Sequence, residues 1–189
     1  MVKLTFIRQS GIDEDDIGLT VKTAERVYLL SKALKEKFGT PDLLYASKEF
    51  RAYLMAKISC LGFGVSRLAS YSALKNDAEK REIRAFFDFV LSEASSFRHK
   101  HVVIVCDENI FNFAYIQLPA VGNSVTICGD NWKNLLQEFY SSWSPLKSSN
   151  LSVEDANFVA DKIINATCNS SESTLIQKTI NDALDEYTP

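Results

Sequence analysis

Two spacings of apolar residues alternate along the chain as far as Cys128. Leu4-Thr-Phe-Ile7 is a short apolar and β-branched run that ends at Arg8, after which the sequence turns polar through Gly11 to Gly18; such a run predicts a buried strand. From Val21 to Phe38 the residues Ala24, Val27, Leu30, Leu34 and Phe38 keep helical spacing, with Thr20 placed as N-cap and Gly39 as the stop before Pro41. Asp42-Leu-Leu-Tyr-Ala46 predicts a second strand. Ser47 begins a turn into a helix striped by Phe50, Leu54 and Ile58 and ended by Gly62 and Gly64, and a weaker strand or loop covers Val65 to Leu74. The stretch Asp77 to Phe97 predicts a helix with Ile83, Phe86, Phe87, Val90, Ala94 and Phe97 inward. His101-Val-Val-Ile-Val-Cys106 is the clearest buried strand and delivers Asp107, Glu108 and Asn109 to its end. A short helix through Phe113, a turn at Pro119 and Gly122 and a strand Ser124–Cys128 follow.

Beyond Asp130 the pattern becomes helix only. Trp132, Leu135, Leu136, Phe139 and Trp143 form one series, ended by Pro145. Ser152 with Asp155 makes a partial capping box ahead of Phe158, Val159, Ile163 and Ile164, and Leu175, Ile176, Ile180 and Leu184 mark a last helix. The expected organisation is an α/β core over residues 1–130 with a helical C-terminal extension, 131–189, packed on or beside it.

Composition narrows the function classes. The 189 residues are 46% apolar and 24% charged, with a net charge of -3, so no basic field supports nucleic-acid binding. No apolar run reaches membrane-spanning length. No leader pattern is read, and Cys60, Cys106, Cys128 and Cys168 are scattered without a CxxC pair, which points to reduced thiols in the cytoplasm. The tripeptides beginning at Asn150, Asn165 and Asn169 match a glycosylation acceptor by chance in that setting. His99 and His101 flank Lys100 with no further ligand nearby, and read as a solvated strand entrance, not a metal site. The acidic segment Gly11–Gly18 lacks the ligand spacing of a calcium loop. No metal or cofactor is expected. Arg8, at the mouth of the first strand, is a candidate anion contact, because open α/β sheets place their ligand crevice at such strand ends.

In order, Arg8 after the first strand, Leu19-Thr20 opening a long helix, Pro41-Asp42 opening a strand, Ser47 with Arg51-Ala52 and Ala56 opening the next helix, the strand Val102–Cys106 and Asn123-Ser124-Val125 resemble the histidine phosphatase superfamily, over about residues 3 to 128. The resemblance implies a phosphoglycerate mutase-like fold, a three-layer α/β/α sandwich around a mostly parallel sheet. It also implies a phosphate pocket at Arg8, Gln9, Ser10, Arg51 and Asp107, with the proton donor left open among Asp77, Glu79 and Glu82.

The sequence departs from that family at its chemistry. The family's first strand ends in Arg-His-Gly, whose histidine takes the phosphoryl group, where this chain has Arg8-Gln9-Ser10; its second histidine follows the strand matching Val102–Cys106, where this chain has Asp107. A carboxamide nitrogen has no lone pair available for attack on phosphorus. The resemblance therefore implies a pseudoenzyme: an inactive domain keeping a remnant pocket for a phosphorylated small molecule or other anion, or serving as a protein-interaction module or homodimer through its C-terminal helices. Phosphate affinity is expected to be weakened, with an internal Arg–Asp107 ion pair favoured over a working anion site. The alternative is an active phosphatase or phosphomutase with a non-histidine nucleophile, Asp107 through an acyl phosphate or Cys106 through a thiolate.

Overall fold

A computed structural model describes residues 1–9, 21–96, 99–113, 124–135, 153–154 and 166–187. Its elements are β1 (Val2–Arg8), α1 (Val21–Phe38), β2 (Leu43–Ser47), α2 (Phe50–Phe63), β3 (Leu68–Tyr71), α3 (Lys80–Ser96), β4 (His101–Cys106), α4 (Glu108–Phe113), β5 (Ser124–Gly129), β6 (Val153–Glu154) and α5 (Ser170–Glu186). The sheet order is β3-β2-β4-β1-β5-β6. The first four strands are parallel, whereas β5 runs antiparallel to β1 and β6 antiparallel to β5. The segment after Asp130 is thus not helix only, because Val153–Glu154 adds a short strand at the sheet edge.

Period-two alternation sends the strand side chains to opposite faces. Ile7, Ala46, Val103 and Val105 join α1, α2 and α5 in one apolar cluster. Leu4, Phe6, Val102 and Ile104 join α3 and α4 in another. Two apolar layers on one sheet make the architecture a three-layer α/β/α sandwich around a mostly parallel sheet. No helix among the described residues is long and apolar enough to cross a membrane.

Two local readings need correction. Gly62 does not end α2: it lies inside the helix, facing Tyr28 and Ser31 of α1, while Gly64 supplies the left-handed stop at φ 70°. On α5 the buried stripe is Ile176, Ile180 and Ala183, and Leu175 and Leu184 face outward. A capping box not read from sequence opens α5 at Asn169 and Glu172, where the Asn169 side chain accepts from the Glu172 backbone N–H at 3.0 Å, so that acceptor tripeptide opens a helix. Expectations on Ser10, the Gly11–Gly18 loop, Thr20, Phe97, Pro119, Gly122, Asn123, Leu136, Phe139, Trp143, Pro145, Asn150, Ser152, Asp155, Phe158, Val159, Ile163, Ile164 and Asn165 fall outside the described residues.

The second histidine is the largest departure: His101 is buried, not solvated. Its Nδ1 lies 3.2 Å from the Gly39 carbonyl, which can only accept, so Nδ1 carries the proton and Nε2 accepts from Thr5 Oγ1 at 2.9 Å. Thr5 Oγ1 in turn accepts from Thr126 Oγ1 at 2.9 Å. Burial lowers the His101 pKa from 6.5 to about 4. A depressed histidine contributes stability above its ordinary value that is lost as pH falls through the folded one. The stability advantage of the wild type over His101→Gln is therefore expected to shrink between pH 6.5 and about 4 in thermal melts. A gap that stays constant across that range would assign the acid sensitivity to other groups.

Candidate functional site

The site grows from the ends of two neighbouring parallel strands. Arg8 pairs in register with Cys106, and the Gln9 backbone N–H donates to the Cys106 carbonyl at 3.0 Å, which sets Gln9 and Asp107 side by side just past the sheet. Alternation turns Arg8 toward α4, where it meets Glu108 at 2.9 Å. Gln9 and Asp107 fall on the opposite face, against the start of α2. The turn entering that helix is held by Ser47, whose Oγ accepts from the Glu49 backbone N–H at 3.3 Å, and no side chain caps the helix.

Three side chains meet there. Gln9 Nε2 donates to Glu49 Oε2 at 3.2 Å, and the Glu49 and Asp107 carboxyl groups share a hydrogen bond. Two carboxyls in contact cannot both ionise cheaply when one is buried. Burial first, then the hydrogen bond and charge of Glu49, raise the Asp107 pKa from 3.8 to about 8. At neutral pH Asp107 is mostly the uncharged acid.

These groups line a cleft of about 800 Å³ whose walls include Arg8, Gln9, Glu49, Arg51, Asp107 and Glu108. Four residues named from sequence therefore converge: Arg8, Gln9, Arg51 and Asp107. Ser10 lies outside the described residues. The expected arginine pairing of Asp107 is not what forms, because α2 presents Glu49 to Asp107 while Glu108, exposed on α4, takes Arg8. Glu49 is the residue that sequence reasoning missed. Its only signal was its place between Ser47 and Arg51 in the turn already assigned to the pocket. Asp77, Glu79 and Glu82 stand exposed before and at the start of α3, with Glu79 near Arg81 at 3.6 Å.

The local chemistry weighs against both substitute nucleophiles. Cys106 is fully buried on the α3/α4 face, and desolvation drives its thiol well above the usual range, so no thiolate forms. Asp107 is a protonated acid below about pH 8, and the uncharged form does not attack phosphorus.

The far end of α5 buttresses this wall. Tyr187 packs at a tilt against Phe50, a cleft residue, with ring centroids 4.7 Å apart, and Glu186 takes Lys57 Nζ at 2.7 Å and Tyr53 Oη at 3.0 Å. Removing the ring in Tyr187→Ala is expected to cost about 1 kcal/mol, a loss of about 2–4 °C in Tm. Amide exchange should quicken over residues 48–53. Unchanged protection there would show that α5 does not set the cleft wall.

No protein-family model matches the chain, and no curated protein does. Among solved structures, the protein histidine phosphatase SixA complexed with tungstate aligns with a TM-score of 0.53 at 12% identity, covering 70% of this chain and 92% of that one. The fold is that of the histidine phosphatase superfamily. The alpha-ribazole phosphatase from Shigella flexneri aligns at 15% identity over 69% of this chain and 92% of that one, with a TM-score of 0.48. Phosphoglycerate mutase from Plasmodium falciparum aligns at 14% identity over 68% and 84%, with a TM-score of 0.45. At such identities the likeness to histidine phosphatases concerns the path of the backbone, and the chemistry has to be read from this chain's own side chains.

Proposed function

We propose that this chain is a catalytically inactive phosphatase-like domain whose cleft is kept for binding a small polar ligand, with Arg8 and Arg51 as its anion contacts. One observation carries the reading: the two positions that the resemblance assigns to histidines hold Gln9 and Asp107, and both engage Glu49. An amide and a protonated carboxyl supply neither a nucleophile nor a charge-stabilising imidazolium. The two arginines line the same cleft as Glu49, Asp107 and Glu108, and with Asp107 uncharged below about pH 8 the acidic and basic residues of the lining nearly balance. Phosphate is held weakly by such a set. Of the four free cysteines three are buried, in keeping with a reducing cytoplasmic setting.

Purified protein is expected to hydrolyse an aryl phosphate no faster than a buffer blank. Turnover that disappears in both Arg8→Ala and Asp107→Ala would establish the alternative, an enzyme with a carboxylate nucleophile. The anion half of the reading is checked separately. Inorganic phosphate should raise Tm slightly at high millimolar concentration, and Arg51→Ala should remove the rise. A flat response across the series would leave the cleft without an anion role.

A further inference from the structure

The hydrogen-bond inventory of the cleft floor is lopsided. Gln9 and Asp107 are both more than nine-tenths buried, and each has an oxygen, Gln9 Oε1 and Asp107 Oδ2, with no partner; Asn109 Oδ1 is a third. All three residues line the cleft. The amide orientations are fixed by their other ends. Asn109 Nδ2 donates to the Lys75 carbonyl at 2.7 Å and Gln9 Nε2 to the Glu49 carboxyl, neither of which would welcome an oxygen in its place. The floor thus presents acceptors without donors, while the guanidinium donors of Arg8 and Arg51 belong to other parts of the wall.

Unpaired buried acceptors are costly, and a ligand supplying donors relieves them. An anion reaching the floor adds more acceptors and meets the Glu49–Asp107 pair, so it can gain only at the arginines. A primary ammonium group is the opposite case: compact, positively charged, with three donors and no acceptor. It also neutralises the carboxylate that the shared proton leaves behind. Nothing else among the described residues combines buried, unpartnered oxygens with an open cleft of this size.

We propose that the cleft recognises an amine-bearing ligand, its ammonium group seated on Gln9, Glu49 and Asp107 and its anionic end at Arg8 and Arg51. This rests on the reading of the cleft as a ligand site, and gives that ligand a second, cationic pole. The polarity of the floor follows from the residues that replaced the two histidines, so the same substitutions that remove phosphoryl transfer create the ammonium seat.

The probe is O-phosphoethanolamine, compared by calorimetry near neutral pH with propyl phosphate, which matches it in length but carries a methyl group in place of the amine. The ammonium-bearing compound is expected to bind about tenfold tighter or more. Asp107→Asn and Glu49→Gln, taken separately so that the outcome survives if one fails to fold, should each bring that ratio, measured for both compounds on the same variant, close to one. Equal affinities for the two compounds in the wild type would overturn the inference and leave the anion reading standing. A preference that persists in both variants would overturn it as well, by placing the amine elsewhere. If neither compound binds, the inference and the ligand reading of the cleft both fall.

Discussion

Gly62→Ala is expected to lower Tm by about 2–12 °C, against the usual direction for a glycine inside a helix. Replacing a mid-helix glycine by alanine ordinarily gains up to about 1 kcal/mol, because glycine loses more backbone entropy on folding. Here a Cβ would stand 2.6 Å from the Tyr28 carbonyl oxygen and 2.7 Å from Ser31 Cβ. Neither atom can swing aside, since one is backbone of α1 and the other is fixed directly to it. The two helices must separate, and α1 is packed on the sheet through Ala24, Val27, Leu30 and Leu34, all buried. Overpacking of this kind costs about 1–3 kcal/mol, which in a chain of this size is about 2–4 °C per kcal/mol. Ser31→Gly combined with Gly62→Ala removes one of the two close contacts and should recover only part of the loss. A Tm above wild type for Gly62→Ala would mean that α1 and α2 are not in this close approach.

Gly62 also illustrates how far the sequence is legible. Its neighbour Gly64 is a true stop, and both were read as stops, because a glycine is a break signal until the partner helix is known. The strands were plain: Val102 to Val105 is an uninterrupted β-branched run, and burial on both faces of a parallel strand demands that pattern. The inward positions of α1 and α3 followed from period alone. What failed depended on contacts distant in sequence. His101 sits beside Lys100 and His99 and looks solvated, yet its partner Thr5 is 96 residues away. Leu175 and Leu184 are as apolar as Ile176 and Ile180, and only the docking of α5 on α1 and α2 decides which pair is covered.

The cleft divides in the same way. Arg8, Gln9, Arg51 and Asp107 were legible because their order along the chain resembles a family arrangement of strand ends and helix starts. The pairing among them was not. Charge complementarity suggested an arginine for Asp107, but the direction in which β1 alternates takes Arg8 to the α4 side, and the turn at Ser47 brings Glu49 to the other side first. A pair of acids is the less intuitive outcome from sequence, since it becomes favourable only when burial lets the two share a proton.

That difference gives opposite signs in one experiment. Asp107→Asn is expected to be more stable than wild type at pH 8 and above, by about 1–3 kcal/mol or about 2–12 °C, and to match it near pH 4. The folded pKa of Asp107 is raised, from 3.8 to about 8. A raised carboxyl contributes stability that is fully present below its unfolded value and is lost as pH rises through the folded one. At pH 8 the wild type must therefore either keep a proton that solution would remove or bring two carboxylates together. Asparagine is nearly the same shape, carries its own donors to Glu49, and needs no proton, so the penalty disappears. Had Asp107 been paired with Arg8 or Arg51, its folded pKa would lie below 3.8, and the same substitution would strand a guanidinium and destabilise the protein at neutral pH. Melting curves of the two proteins from pH 4 to pH 9 separate these cases by the sign of the difference. A wild type more stable than Asp107→Asn at pH 8 would restore the ion-pair reading and remove the acceptor-rich floor on which ammonium recognition depends.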